Sequence, residues 1–238
     1  MDKFKERTSI IIGDQAIEKL DQASVIVFGL GGVGSYVVEA LARAGIGHLT
    51  LVDFDDVDIT NVNRQLPALH STLGCKKVDV VLDRVRDINP NIDVKGHICL
   101  YDETTSDQLL EDHYDYVVDA IDMVKSKIHL IETCYMRGLK IISSMGMGNK
   151  LDPCQIEISD IHKTEMCPLA KLVRKEARQR GIKKLTVVYS KEKPSQPLVV
   201  EDGGSLERIN GSISFVPSVG GLIIASYVIR DLLGLISK

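Results

Sequence analysis

Apolar positions along this chain switch between two rhythms. The run Val25-Ile-Val-Phe28 is continuous and ends on glycine, whereas from Val33 to Arg43 apolar residues recur at helical spacing with small residues between them. The first reads as a buried strand and the second as a helix, joined by a glycine turn. Ala44-Gly45-Ile46-Gly47 stops that helix, and His48 to Asp53 forms the next strand. A strand, helix and strand this closely linked predict parallel strands with a right-handed crossover.

The pattern continues. Gly74 to Ile88 reads as a helix closed by Asn89-Pro90, because proline disfavours helical geometry in the residue before it. Ile92 to Leu100 alternates as a strand, Ser106 to Asp112 is a short helix and Tyr114 to Asp119 a buried strand. Val124 to Arg137 is a helix ended by Gly138, and Leu139 to Ser143 is a further strand. Regular alternation of this kind predicts a doubly wound, Rossmann-like α/β sheet, mostly parallel, with helices on both faces.

After Gly146-Met-Gly148 the rhythm breaks, dividing the chain into a nucleotide-binding part with an N-terminal helical arm, 1–150, and an extension of the same domain, 151–238. Gln155 to Ile158 and Leu185 to Tyr189 read as strands flanking a basic helix, Cys167 to Arg180, and so as an antiparallel extension of the sheet. Pro194 to Asn210 reads as a mobile loop. The last apolar stretch, Ser218 to Leu233, reads as a helix packed on the sheet or on a second subunit. Its most apolar part is too short for a membrane span, and no signal peptide is legible at the N-terminus, so a cytoplasmic protein is expected.

Composition changes this picture little, and charge changes it locally. The net charge is −4, but Lys163 to Lys193 holds ten Lys or Arg against three Glu, so this stretch carries +7 and the rest −11. Lys171, Arg174, Lys175 and Arg178 on the basic helix are candidate nucleic-acid contacts, weighed against a merely solvated helix face. Five scattered cysteines without a C-x-x-C pair fit a reducing compartment and offer no zinc framework. Cys167 precedes the basic helix, where a thiol can be activated, but reads as a packing residue.

The candidate chemistry gathers at the strand ends. Gly29-Leu-Gly31-Gly32-Val-Gly34 lies between strand and helix, where glycines let the backbone approach a phosphate and the helix dipole attracts its charge. Asp53, ending the second strand, is placed for a ribose. These features suit NAD as well as ATP. Beyond them stand Asp55, Asn61, Arg64 and Lys77, with cations suited to a triphosphate, and Asp122, a carboxylate suited to magnesium carried on phosphate oxygens. Singly, Arg64 and Lys77 could be surface charges and Asp122 a helix N-cap; jointly they favour ATP.

The glycine turn, Asp53-Phe-Asp55, Asn61-Val-Asn-Arg64-Gln65, Lys77 and Ala120-Ile-Asp122 resemble the E1-like superfamily of ubiquitin-activating and molybdopterin- or thiamine-pathway adenylyltransferases. The resemblance implies Gly32, Asp53, Asn61, Arg64, Lys77 and Asp122 around ATP and Mg²⁺. It also implies a homodimer in which Arg7 reaches the neighbouring subunit's site. Zinc-binding cysteine pairs of the carrier-protein activators are missing. Asn89-Pro90, the Gly45-Ile-Gly47 turn and the basic stretch are instead similar to the tRNA threonylcarbamoyladenosine dehydratases. That subgroup implies tRNA as substrate and sulfur-relay proteins as possible partners. An adenylyltransferase for a small sulfur carrier and an NAD-binding oxidoreductase stand as alternatives.

Overall fold

The computed structural model describes residues 3–111, 113–196, 198–202 and 205–236. Two short helices, α1 (Glu6–Ile12) and α2 (Asp14–Asp21), lead into β1 (Ser24–Phe28), α3 (Gly34–Ala44) and β2 (His48–Asp53). There follow α4 (Lys77–Ile88), β3 (Asp93–Ile98), α5 (Ser106–Leu109), β4 (Tyr116–Asp119), α6 (Val124–Arg137) and β5 (Ile141–Ser144). The chain ends with β6 (Ile156–Asp160), α7 (Pro168–Gln179), β7 (Thr186–Ser190), β8 (Leu198–Asp202), β9 (Ser205–Ile209) and α8 (Phe215–Leu232). Gly45 and Gly138 end α3 and α6 where the sequence predicts a stop, and both adopt the left-handed conformation.

Seven strands form one sheet in the order β3-β2-β1-β4-β5-β7-β6. Strand order reverses between β1 and β4, where helices leave the sheet on opposite sides and open a crevice at the carboxyl ends. Alternate residues of β1 serve separate cores: Val25 and Val27 pack with Val38 and Leu41 of α3, while Ile26 and Phe28 pack with Leu130 and Cys134 of α6. Burial on both faces explains the unbroken apolar runs of the central strands.

Two expectations change. Residues 151–238 extend the sheet, but β7 lies parallel to β5 and only the edge strand β6 is antiparallel. α7 returns the chain to the end from which β5 started, so β7 repeats the parallel crossover and β6 covers its free edge. Within Pro194 to Asn210, read above as a loop, β8 and β9 pair as an antiparallel hairpin. Its tip, 203–204, lies outside the described residues, as does Pro197. The pairing runs from Leu198↔Ile209 to Asp202↔Ser205.

α8 has the length and apolarity of a membrane-crossing helix, with mean hydropathy 1.4. Val216, Gly220, Gly221, Ile224, Ala225 and Val228 are nevertheless buried in it. A Cβ on Gly221 would lie 2.4 Å from the Val33 carbonyl oxygen, so α8 rests directly on the start of α3. Each large apolar side chain buried there contributes roughly 1.5–3 kcal/mol. This packing fixes the helix that opens the glycine turn.

Candidate active site

A single cavity of about 1060 Å³ runs along the carboxyl ends of β1, β2, β4 and β5. Its wall includes Gly29, Gly31, Gly32, Asp53, Asp55, Asn61, Arg64, Gln65, Lys77 and Asp122, so most of the residues read from the sequence meet in one place. Gly34 does not line it. A Cβ on Gly34 would stand 1.8 Å from the Gly29 carbonyl oxygen, and one on Gly29, whose φ is +88°, would stand 2.7 Å from the carbonyl oxygen of Ala120. These two glycines close the turn against the neighbouring strand end. Gly31 and Gly32 present backbone to the cavity at the start of α3, where the helix dipole is positive.

Asp53 lines the cavity but is already engaged. One carboxylate oxygen accepts the Leu30 amide at 2.6 Å and the other the Asp55 amide at 2.8 Å. Burial pushes its carboxyl above the ordinary range, opposed by those two amides and by Lys77. Asp53 therefore fixes the glycine turn, and its remaining lone pairs are what a ribose hydroxyl can meet.

The cations follow from local turns. Asp58 accepts the Thr60 amide and Asn61 Oδ1 accepts the Asp58 amide at 3.3 Å, a capping box that shapes the segment after β2. Arg64 is thereby set on the cavity wall, with one guanidinium nitrogen donating to the Thr60 carbonyl at 3.0 Å and to Asn63 Oδ1 at 2.8 Å. Lys77, the first residue of α4, is buried and pairs with Asp55 at 2.7 Å. Gln65, which the sequence shows only as part of a motif, is buried with an Oε1 that has no partner among the described residues. A buried acceptor left open in a cavity wall is a group for a ligand to satisfy.

Asp122 is exposed to the cavity and makes no hydrogen bond or ion pair with the described residues. It is not the cap of α6: that position is Met123, without a side-chain bond. What holds Asp122 in place is invisible in the sequence pattern. Asp119, at the end of β4, is fully buried; it accepts the Ile121 amide at 3.0 Å, the Ser143 hydroxyl at 2.5 Å and the Lys127 ammonium at 2.7 Å. Lys127 also donates to the Ser144 carbonyl, tying β4, α6 and β5 together beneath the cavity. Among the described residues no three His, Cys, Asp or Glu side chains converge as a metal site. A single carboxylate is nonetheless what Mg²⁺ takes from a protein when phosphate oxygens and water complete its shell.

The far end of the cavity is formed after β5, by Met145 to Lys150, with Cys167, Pro194-Ser195 and Asn210 to Ser212. Asn149, at φ +59°, binds both feet of the hairpin: its amide donates to the Gly211 carbonyl and its Oδ1 accepts the Gly211 amide, while its carbonyl accepts the Ser195 amide. Cys167 is buried at the head of α7, its Sγ 3.9 Å from the Gly146 carbonyl oxygen. All five cysteines are unbridged.

Two groups of residues lie elsewhere. Arg7 is exposed on α1 and does not line the cavity of its own chain. On α7, Lys171, Lys175 and Arg178 are exposed at helical spacing on one face. Arg174 is not part of that set, because its guanidinium donates to the Thr164 carbonyl and hydroxyl, at 2.5 and 2.8 Å.

Comparison with known proteins fits this geometry. A family model described as the ThiF family matches residues 6–238. The chain is 46% identical over 237 residues to the tRNA threonylcarbamoyladenosine dehydratase of Bacillus subtilis, covering 95% of this chain and 93% of that protein. It is 39% identical to the enzyme of the same name from Haemophilus influenzae, covering 92% and 88%. The crystal structure of the E. coli tRNA N6-threonylcarbamoyladenosine dehydratase in complex with ATP superposes with a TM-score of 0.87 at 33% identity, covering 96% of this chain and 93% of that one.

Proposed function

The chain belongs to the ThiF family, and on that premise we propose that it uses ATP to activate the free carboxylate of threonylcarbamoyladenosine in tRNA and closes it to the cyclic nucleoside. The observation that carries this reading is the convergence, in one cavity at the strand-order reversal, of a phosphate-sized glycine turn, the cations Arg64 and Lys77, and the carboxylate of Asp122.

The chemistry follows from those groups. The substrate carboxylate attacks the α-phosphorus of ATP, an acyl-adenylate forms, and pyrophosphate leaves. Arg64 and Lys77 offset charge that builds on the phosphates. Lys77 releases Asp55 to do so. Asp122 is the residue that would hold Mg²⁺, and the ion would supply charge neutralisation on the phosphates. A nitrogen or oxygen of the same modified group then attacks the activated carbonyl, its proton is lost and AMP departs. Water is lost overall, and because ring closure is intramolecular it gains from proximity without an enzyme nucleophile.

Arg7 serves a neighbouring subunit in a homodimer on this proposal; its exposure and its absence from the lining of its own cavity support that reading. Lys171, Lys175 and Arg178 supply the tRNA-binding face in the cytoplasm. The test is direct: purified protein, ATP, Mg²⁺ and threonylcarbamoylated tRNA should yield AMP and a nucleoside lighter by one water, read by mass spectrometry. AMP formation without the mass change, or pyrophosphate exchange driven by a Gly-Gly-ended carrier protein and not by tRNA, would overturn the proposal.

A further inference from the structure

Four lysines are buried among the described residues: Lys5, Lys77, Lys127 and Lys150. Three have a carboxylate against the ammonium, Asp21 at 2.5 Å, Asp55 at 2.7 Å and Asp119 at 2.7 Å. Lys150 is the exception. Its residue is 6% exposed, yet its Nζ meets only two carbonyl oxygens, Gly146 at 2.7 Å and Ser190 at 3.4 Å, and no described carboxylate lies within ion-pair distance.

Neutral carbonyls can satisfy two of the three ammonium N–H groups but leave the charge uncompensated. Burial pulls this ammonium below the ordinary lysine range, while Cys167 and Glu192, within electrostatic reach, draw it back. Glu192 is occupied, its carboxylate accepting the amides of Leu151 and Asp152. Cys167 shares the Gly146 carbonyl with Lys150. An unpaired buried cation is costly unless an anion arrives to meet it.

Lys150 lines the same cavity as the glycine turn, at the other end. The phosphates have Arg64, Lys77 and the start of α3. The cavity, at about 1060 Å³, reaches the upper limit of a single small-molecule site, roughly 300–1,000 Å³, and so has room for a second ligand. On the adenylation reading above, we propose that Lys150 receives the free carboxylate of the substrate and holds it for attack on the α-phosphorus. Such placement matters because the reacting oxygen must be held close to phosphorus before the bond forms. Adenylation then removes the negative charge, which loosens the hold on that group and frees it to close the ring.

The test compares threonylcarbamoylated tRNA with the same tRNA carrying the methyl ester of that carboxylate, in binding to wild type and to Lys150→Met. Wild type should prefer the acid by about 30-fold or more, the loss usual when a buried charged partner is removed. Lys150→Met should bind acid and ester alike and keep the wild-type Kd for ATP, while Lys150→Arg should retain a preference for the acid. Equal binding of acid and ester by wild type would overturn the assignment, even if Lys150→Met fails to fold. An undiminished acid preference in Lys150→Met would overturn it as well. Dehydration of the nucleoside by wild type with no acid preference sinks Lys150 alone; no dehydration at all sinks the adenylation reading and this assignment with it.

Discussion

Two lysine–aspartate pairs lie beside the cleft, both at 2.7 Å, and they differ in everything except distance. Lys127 and Asp119 are sealed from solvent, and their polar atoms are engaged with Ser143, Ser144 and the Ile121 amide. Lys77 is equally buried, but its partner Asp55 has a side chain 45% exposed, and both residues line the cavity. The first pair cannot change partners without stranding a charge in the interior. The second can, because Asp55 can turn to water when Lys77 meets another anion, as the proposed adenylation requires. The same two residue types thus act as a fastener where the structure is closed and as a transferable donor where it opens.

Breaking the fastener should give the largest effect. Lys127→Met leaves Asp119 buried without its counter-charge, and unfolding in urea should show a loss of about 3–5 kcal/mol. The damage should reach the site, since the turn Ala120-Ile-Asp122 hangs from Asp119. A loss under about 1 kcal/mol would mean that the pair holds nothing together and that the comparison above is empty.

The open pair should respond in the opposite way. On the proposed adenylation, Lys77→Met removes a donor for charge that develops on the leaving phosphates, so kcat and kcat/KM should fall together by about 10²–10³. Its effect on folding should stay below about 1 kcal/mol, because Asp55 relaxes into solvent. Activity retained within a few fold, or instability matching that of Lys127→Met, would erase the distinction between the two pairs.

This division also explains what could be read from the chain alone. The parallel sheet and the glycine turn were legible because burial on both faces and tight backbone approach constrain residue type at every position. Arg64, Lys77 and Asp122 could be picked out because each lies just beyond a strand end or at a helix start facing the crevice, although Asp55, Asp56, Asp58 and Lys76 crowd the same segments. Lys127 was not, since Lys125 two residues earlier differs from it only in the direction its side chain takes from the helix. Lys150 follows a glycine-rich turn whose course the spacing does not reveal. The β8–β9 hairpin was missed because its backbone pairing prevails over local proline and glycine signals, and Asn149, which anchors its feet, joins segments 46 and 62 residues away.

The smallest effects sharpen the same contrast on α7, where sequence grouped four basic residues and structure separates one. Arg174→Ala should cost roughly 1 kcal/mol or somewhat more, because its guanidinium caps the Thr164 carbonyl ahead of the helix. Its effect on the salt dependence of tRNA binding should be negligible. Lys175→Ala should leave stability within about 0.5 kcal/mol and lower the slope of log affinity against log salt by about 1, as expected for a lysine that contacts a phosphate. Paired measurements of melting and of tRNA affinity from 50 to 200 mM salt, roughly the range over which such contacts are lost, discriminate the two. If Arg174→Ala changes the slope and Lys175→Ala does not, the guanidinium exchanges its Thr164 partner for RNA, and on α7 the fastener and the open charge are the same residue.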